Sequence, residues 1–416
     1  MWRAIEIEGW VAGRRSSLAG ARDVAAAIIE RVRSQGDQAL RDLALEFDHV
    51  ELEALTVTEE EREAAFESVD SRLTEALVAA EARITAFHEL QRPQGLWLTE
   101  VEPGITLGVR TTPLARVGAY VPGGRAAYPS TALMCTIPAR VAGVPSICCC
   151  SPPPIHPLTL VALEIAGVDE VYRVGGAQAI AAMALGTGTI APVQKVVGPG
   201  NVYVTAAKQL LQDQVEIDFP AGPSEVAIVA DATADPRFVA ADVFAQVEHD
   251  PHAAAVLVTT DQEVAEAVGR AIDAMAASSP RREIVEQALA NSGYVVVDSL
   301  PEAAVAIDLI APEHLSIQVA DPLAMLMAVR NAGSIFLGPY SPVACGDYAA
   351  GTNHVLPTAG HAATRSGLDV RHFCKTSTVQ QLSREGLETI ADTVEAIATA
   401  EGLAAHAASV RVRRGQ

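Results

Sequence analysis

From about residue 105 onward, short apolar runs alternate with stretches of helical periodicity, and that alternation leaves few folds open to the chain. Apolar runs stand at 117–121, 146–150, 170–174 and 195–197, with helical stretches at 130–142, 157–166, 177–185 and 202–211 between them. A second series has runs at 226–230, 254–259, 293–297 and 334–337, separated by helical stretches near 235–248, 262–278 and 321–330. Strands apolar along their whole length are buried on both faces, which is the condition of strands in a parallel sheet covered by helices. The spacing therefore predicts two α/β modules joined near 220–223. A chain of 416 residues is too long for one core, and its 50% apolar, 4% aromatic composition suits such sheets.

The flanks differ. Residues 18–91 read as helical, with Val24, Ile28 and Val32 recurring at i+4, as do Leu73 and Leu77, and Ile84 and Phe87 continuing a stripe. Residues 379–407 read as an acidic amphipathic helix through Leu382, Leu387, Ile390, Val394 and Ile397, an arm that packs on something else. No internal repeat stands out.

A net charge of −21 argues against nucleic-acid binding, because nothing would release counterions from phosphates. The basic cluster Arg411-Val412-Arg413-Arg414 reads as a solvated terminus. Neither an apolar N-terminal leader nor an uncharged apolar run of ~18 residues is present, so the expectation is a soluble cytoplasmic protein. The six cysteines form no C-x-x-C pair, and Cys148, Cys149 and Cys150 are consecutive, which disfavours a disulfide framework. An apolar run holding those three makes packing the better reading than a catalytic thiol.

Reactive residue types gather in several places. Gln246 and His249 lie three apart at a helix end and so share a face, where an amide oxygen and an imidazole can meet one cation. Two ligands do not hold a zinc ion, so the alternative is a merely exposed polar helix end. Glycine clusters follow strands at Tyr120-Val121-Pro122-Gly123-Gly124, at Gly175-Gly176-Ala177-Gln178 and at Gly198-Pro199-Gly200-Asn201. Such turns allow close approach of an anionic ligand to helix amides, although tight turns need glycine anyway. No G-x-G-x-x-G fingerprint is present, which leaves a looser nicotinamide site.

The turn Pro220-Ala221-Gly222-Pro223-Ser224-Glu225 presents a hydroxyl. Glu313 and His314 place a carboxylate beside an imidazole, either as two proton acceptors or as a surface pair opening an element. The polar loop 346–354 offers Asp347 as a third metal ligand and His354 as a substrate contact. His406 ends the arm, five positions after Glu401, and taken alone is a solvated residue.

These clusters resemble the histidinol dehydrogenase family. The phrases VGAYVPGG, VGGAQAIAA, VGPGN, PAGPSEV, AQVEHD, PEHL, GDYAAGTNHVLPT and AEGLAAH occur in that family's order between Val117 and His406. The resemblance implies two Rossmann-like modules in an intertwined homodimer. Its domains would be an N-terminal segment 1–15 packing with the arm, a larger α/β domain 16–119 with 225–368, an NAD-side domain 120–224, and a dimerisation arm 369–416. It implies zinc held by Gln246, His249, Asp347 and His406, and Glu313 and His314 as proton acceptors.

Substrate contacts would come from Ser224, Gln246, His249, His314, Asp347, His354, Glu401 and His406, and NAD contacts from Tyr120, Gln178 and Asn201. The arm would cross a two-fold axis, so that His406 and Glu401 complete the partner subunit's site. The implied reaction is oxidation of L-histidinol to L-histidine through L-histidinal with two NAD, closing histidine biosynthesis. Three other readings stay open: a related dehydrogenase of another small alcohol, a zinc hydrolase using Glu313, and a non-catalytic metal or nucleotide binder.

Overall fold

The computed structural model describes residues 2–14, 19–123, 127–219 and 222–415. Two compact units emerge, Met1–Gln91 with Leu114–Phe373, and Arg92–Pro113 with Cys374–Gln416. In the first, the helix Ala19–Gln35 buries Ala21, Ala25, Ile28, Ile29 and Val32, one face at 3.6-residue spacing. Val24 and Leu73, placed on apolar stripes by the sequence pattern, are exposed. On Ala19–Gln35 the alanines Ala21 and Ala25 take buried positions beside the exposed Val24. The hairpin Leu96–Glu102 (β1) and Ile105–Pro113 (β2) comes next and belongs to the second unit.

The first parallel sheet contains Val117–Tyr120 (β3), Ile147–Ser151 (β4), Glu170–Arg173 (β5), Lys195–Val197 (β6) and Glu216–Ile217 (β7), in the order β5-β4-β3-β6-β7. Four of these stand within a residue of their expected positions; β7 is too short to show a pattern. Apolar clusters cover both faces, and β4 shows why its cysteines do not bridge. Cys148 and Cys150 point into one cluster and Cys149 into the other. Burial pushes the Cys148 thiol up to about 12, so these are packing residues, not nucleophiles.

One buried ion pair ties this sheet to its glycine turn. Lys208 Nζ lies 2.8 Å from Asp218 Oδ1 and also meets the Gly198 carbonyl, while Asp218 Oδ2 accepts the Gly198 N–H at 2.8 Å. Gly198 has φ 114°, and a Cβ there would sit 2.1 Å from the Tyr120 carbonyl oxygen, so only glycine fits. Lys208→Met would strand the Asp218 carboxylate and should cost about 3–5 kcal/mol, read as a lowered urea midpoint.

The second parallel sheet contains Glu225–Ala230 (β8), Ala254–Thr259 (β9), Gly293–Val296 (β10), His314–Gln318 (β11) and Ser334–Leu337 (β12), in the order β10-β9-β8-β11-β12. Counted from its own first strand, each sheet runs third-second-first-fourth-fifth, a repeat of topology that the sequence does not display. The sequence pattern misses β11. Its residues alternate polar and apolar yet all five are buried. Two of its polar side chains meet one carboxylate: Ser316 and Gln318 approach Asp242 Oδ2 at 3.3 and 3.0 Å, from the helix Pro236–Val247.

In the second unit, Cys374–Leu382 (β13) pairs with β2, giving the antiparallel order β1-β2-β13. This corrects the expected helix over 379–407. Thr376, Thr378 and Val379 are β-branched, and helix begins only at Arg384–Ala400, capped by Ser383. A second helix, Ala404–Arg414, returns beside it, with Arg414 joined to Glu388, Asp392 and Glu395. Among the described residues, no helix is long and apolar enough to cross a membrane.

Candidate active site

The parallel register that pairs His314 with Val226 sets the start of β11 beside the start of β8. Glu313 therefore meets Glu225, whose backbone N–H donates to Glu313 Oε2 at 2.8 Å. His314 Nδ1 lies 3.3 Å from the Glu225 carbonyl and 3.6 Å from Glu313 Oε2. A carbonyl only accepts, so the Nδ1 facing it carries the ring proton. His314 Nε2 is left as the acceptor. It is buried, has no hydrogen-bond partner, and stands 3.6 Å from Asp347 Oδ1.

The charges in this centre are coupled. Burial pushes the Glu313 carboxyl up to about 7, partly offset by His314. Burial works against a charged His314, but Glu313, Asp347 and the Glu225 carbonyl outweigh it and hold the ring up to about 9. As one buried pair they share a proton over the neutral range. Asp347 stays below the usual carboxylate range because His314, His354 and His249 overcome its burial.

Both sheets place functional types at their strand ends, but at opposite ends. Parallel sheets usually bind ligands beyond carboxyl ends, at the point where strand order reverses. Tyr120, Gln178 and Asn201 stand at such ends, Tyr120 closing β3 and the other two following β5 and β6. Tyr120 Oη accepts the Gly176 N–H at 3.1 Å, and Gln178 is buried in the first turn of Gly176–Leu185. Asn201 Oδ1 caps Val202–Leu211 through the N–H groups of Tyr203 and Val204, at 3.0 and 3.1 Å. Gly124 and the turn residues Pro220 and Ala221 lie outside the described residues. Ser224, Glu225, Glu313 and His314 stand instead at the amino ends of β8 and β11.

Gln246 and His249 come to that same end because Pro236–Val247 runs back against the strands. The His249 N–H still reaches the Gln246 carbonyl at 3.3 Å, so the two side chains keep helical phase. Gln246 is 4% exposed. Asp347 stands in the short helix Val343–Tyr348 after β12, not in the polar loop expected over 346–354, and the loop that follows supplies His354. His354 Nδ1 lies 2.9 Å from the Asp347 carbonyl, and its Nε2 lies 3.5 Å from Thr131 Oγ1 on the helix Pro129–Ala142. Burial lowers the His354 pKa, which favours a neutral ring. Asn353 pins this loop by donating to the Met134 carbonyl at 2.8 Å.

An amide oxygen, an imidazole and a carboxylate form a borderline N/O donor set suited to zinc. Among the described residues no group of three or more His, Cys, Asp or Glu side chains is arranged to hold a metal. Within the first unit the implied set contributes only His249 and Asp347 of those types. His406 and Glu401 belong to the second unit and are exposed, Glu401 ending Arg384–Ala400 and His406 in the first turn of Ala404–Arg414.

Sequence reasoning missed Arg14, the Glu225 peptide, Asp242 and Asn353. The one available signal was an acid, Glu225, opening the apolar strand EVAIVA.

Paired parallel sheets with a buried carboxylate–imidazole pair are an α/β architecture suited to an enzyme that acts on a small molecule. The histidinol dehydrogenase family model matches residues 13–414. A histidinol dehydrogenase of Methanosarcina mazei is 51% identical over 406 residues, covering 97% of this chain and 94% of that protein. That of Halobacterium salinarum is 51% identical over 404 residues, covering 96% and 95%. The crystal structure of histidinol dehydrogenase from Elizabethkingia anophelis is 36% identical and superposes with a TM-score of 0.93, covering 100% of this chain and 94% of that one. The chain belongs to the histidinol dehydrogenase family.

Proposed function

We propose that this protein oxidises L-histidinol to L-histidine through L-histidinal, consuming two NAD, as a cytoplasmic homodimer with one zinc per subunit. The observation that carries the reading is the buried His314 ring, with Glu313 on its Nδ1 side and Asp347 facing its unpartnered Nε2. Gln246, His249 and Asp347 would hold the zinc with His406 of the partner subunit. When bound, zinc supplies a Lewis-acidic anchor for the substrate's nitrogens and NAD supplies the hydride acceptor.

The protein's own residues then handle the protons. His314 Nε2 takes the hydroxyl proton in the first oxidation. Glu313 takes a proton from the water that hydrates the aldehyde, and His314 accepts again in the second oxidation. Ser224, His354 and the partner's Glu401 would orient the substrate. Tyr120, Gln178 and Asn201 would line the NAD side, within a domain spanning 120–224. The larger domain would combine 16–119 with 225–368, and 369–416 would form the dimer arm with 1–15 against it.

A zinc hydrolase would leave the glycine turns after β3, β5 and β6 without a role. A binder without catalysis would not need both Glu313 and His314. Glu401 and His406 favour histidinol over another small alcohol.

The test is stoichiometry. Zinc-loaded protein given L-histidinol and excess NAD should form two NADH per histidinol consumed. One would mean release at the aldehyde, and none would overturn the reading. A pH profile probes Glu313 separately. Both acceptors must be unprotonated, His314 held up to about 9 and Glu313 to about 7, so NADH formation from L-histidinal should level off above about 9, fall ~tenfold per unit below it, and gain a steeper limb below about 7. Glu313→Gln should lower this step and remove that limb.

A further inference from the structure

The buried carboxylate of Glu225 has no place in the chemistry above, yet it sits behind both proton acceptors. Its side chain is 1% exposed and that of Arg14 is 10% exposed. Arg14 Nε meets Glu225 Oε2 at 3.1 Å, and its other nitrogens donate to the carbonyls of His252 at 2.8 Å, Pro223 at 2.9 Å and Ser224 at 3.4 Å. Glu225 Oε1 accepts the Ala359 N–H at 3.0 Å. The side chain is clamped on both sides, while the backbone of the same residue holds Glu313 by its N–H and His314 by its carbonyl.

Stability alone does not call for this arrangement. A buried ion pair is commonly no better than apolar residues of similar volume, because desolvation offsets the attraction. What a guanidinium fork adds is direction. It fixes a carboxylate and several carbonyls in one geometry. Arg14 ends the helix Ile7–Arg14, which docks through Ile7, Trp10 and Val11 against the core holding Leu315 of β11. Trp10 Nε1 adds a hydrogen bond to the Asn291 carbonyl at 2.8 Å.

We propose that the Arg14–Glu225 pair is a positioning device for Glu313 and His314, which makes the N-terminal helix a required part of the catalytic centre. The proposal rests on the assignment of Glu313 and His314 as proton acceptors. Arg14 and Glu225 act through the Glu225 peptide group: its N–H orients the carboxylate, and its carbonyl sets the imidazole tautomer that leaves Nε2 free.

The experiment measures L-histidinol oxidation by full-length, zinc-loaded Arg14→Gln, Glu225→Gln, the double variant and Arg14→Lys. A misplacement of about 1 Å at reacting groups costs up to ~10²-fold. Each glutamine variant should lose about that in kcat, with KM for histidinol within about threefold and zinc content unchanged. The double variant should lose no more than either single one, since all three remove one device. The solvent deuterium isotope effect on kcat should rise as proton transfer becomes limiting.

Arg14→Lys keeps the charge without the fork, so it should fold even if Arg14→Gln does not, and recover activity only in part. Unchanged kcat in any folded variant, a loss confined to KM, or additive losses would overturn the proposal. A wild-type protein inactive on histidinol would instead overturn the functional assignment.

Discussion

His314→Asn is expected to leave the fold and the zinc content unchanged and to lower kcat on L-histidinol by about 10²–10⁴-fold, the range for losing a positioned general base. His314 presents one free ring nitrogen. Nδ1 is committed to the Glu225 carbonyl, and Nε2 is the buried atom without a partner. An asparagine amide can still donate toward that carbonyl but offers no basic nitrogen. The ring is no proposed zinc ligand, so metal and activity should separate. Zinc by atomic absorption and kcat from NADH absorbance check this together. Retention of more than about a tenth of kcat would mean that another group takes the proton.

His406→Ala is expected to act in the opposite sense, emptying the metal site of a protein that otherwise folds normally. His406 is exposed in the first turn of Ala404–Arg414, and truncating an exposed side chain ordinarily changes stability by less than about 0.5 kcal/mol. Its removal as a ligand should weaken zinc by at least ~100-fold, the upper end of what losing an outer-shell partner costs. Equilibrium dialysis against buffered zinc reads this, alongside an unchanged unfolding midpoint. Full zinc and full activity would remove His406 from the site.

Most strands of the parallel sheets were legible because they are mainly apolar, and glycine marks the turns after β3, β5 and β6. Val117–Tyr120 and Ala254–Thr259 needed only local pattern. β11 was not, since His314, Ser316 and Gln318 carry polar side chains into the interior to meet Asp242 and the centre itself. A functional strand broke the pattern that identifies strands. β13 was hidden because the helical stripe Leu387 to Ile397 extends by chance through Leu382 into β-branched sequence.

At the site, Gln246 and His249 were readable as a pair because one helix end sets their spacing. Asp347 and Glu313–His314 were readable only as types on loops and element ends. That they meet is a consequence of register, His314 against Val226, which no local window contains. Arg14 lies far from Glu225 in sequence, and nothing near it announces the contact.

Each site would be built from Glu313 and His314 of one chain and His406 of the partner subunit. Mixing chains tests it directly. Differently tagged His314→Asn and His406→Ala chains, each inactive as its own dimer, can be co-expressed and the hybrid isolated. In a two-fold dimer one hybrid site inherits both substitutions and the other neither, so the hybrid should show about half of wild-type activity and bind zinc at the intact site. A hybrid no more active than its parents would show that each chain builds its site alone.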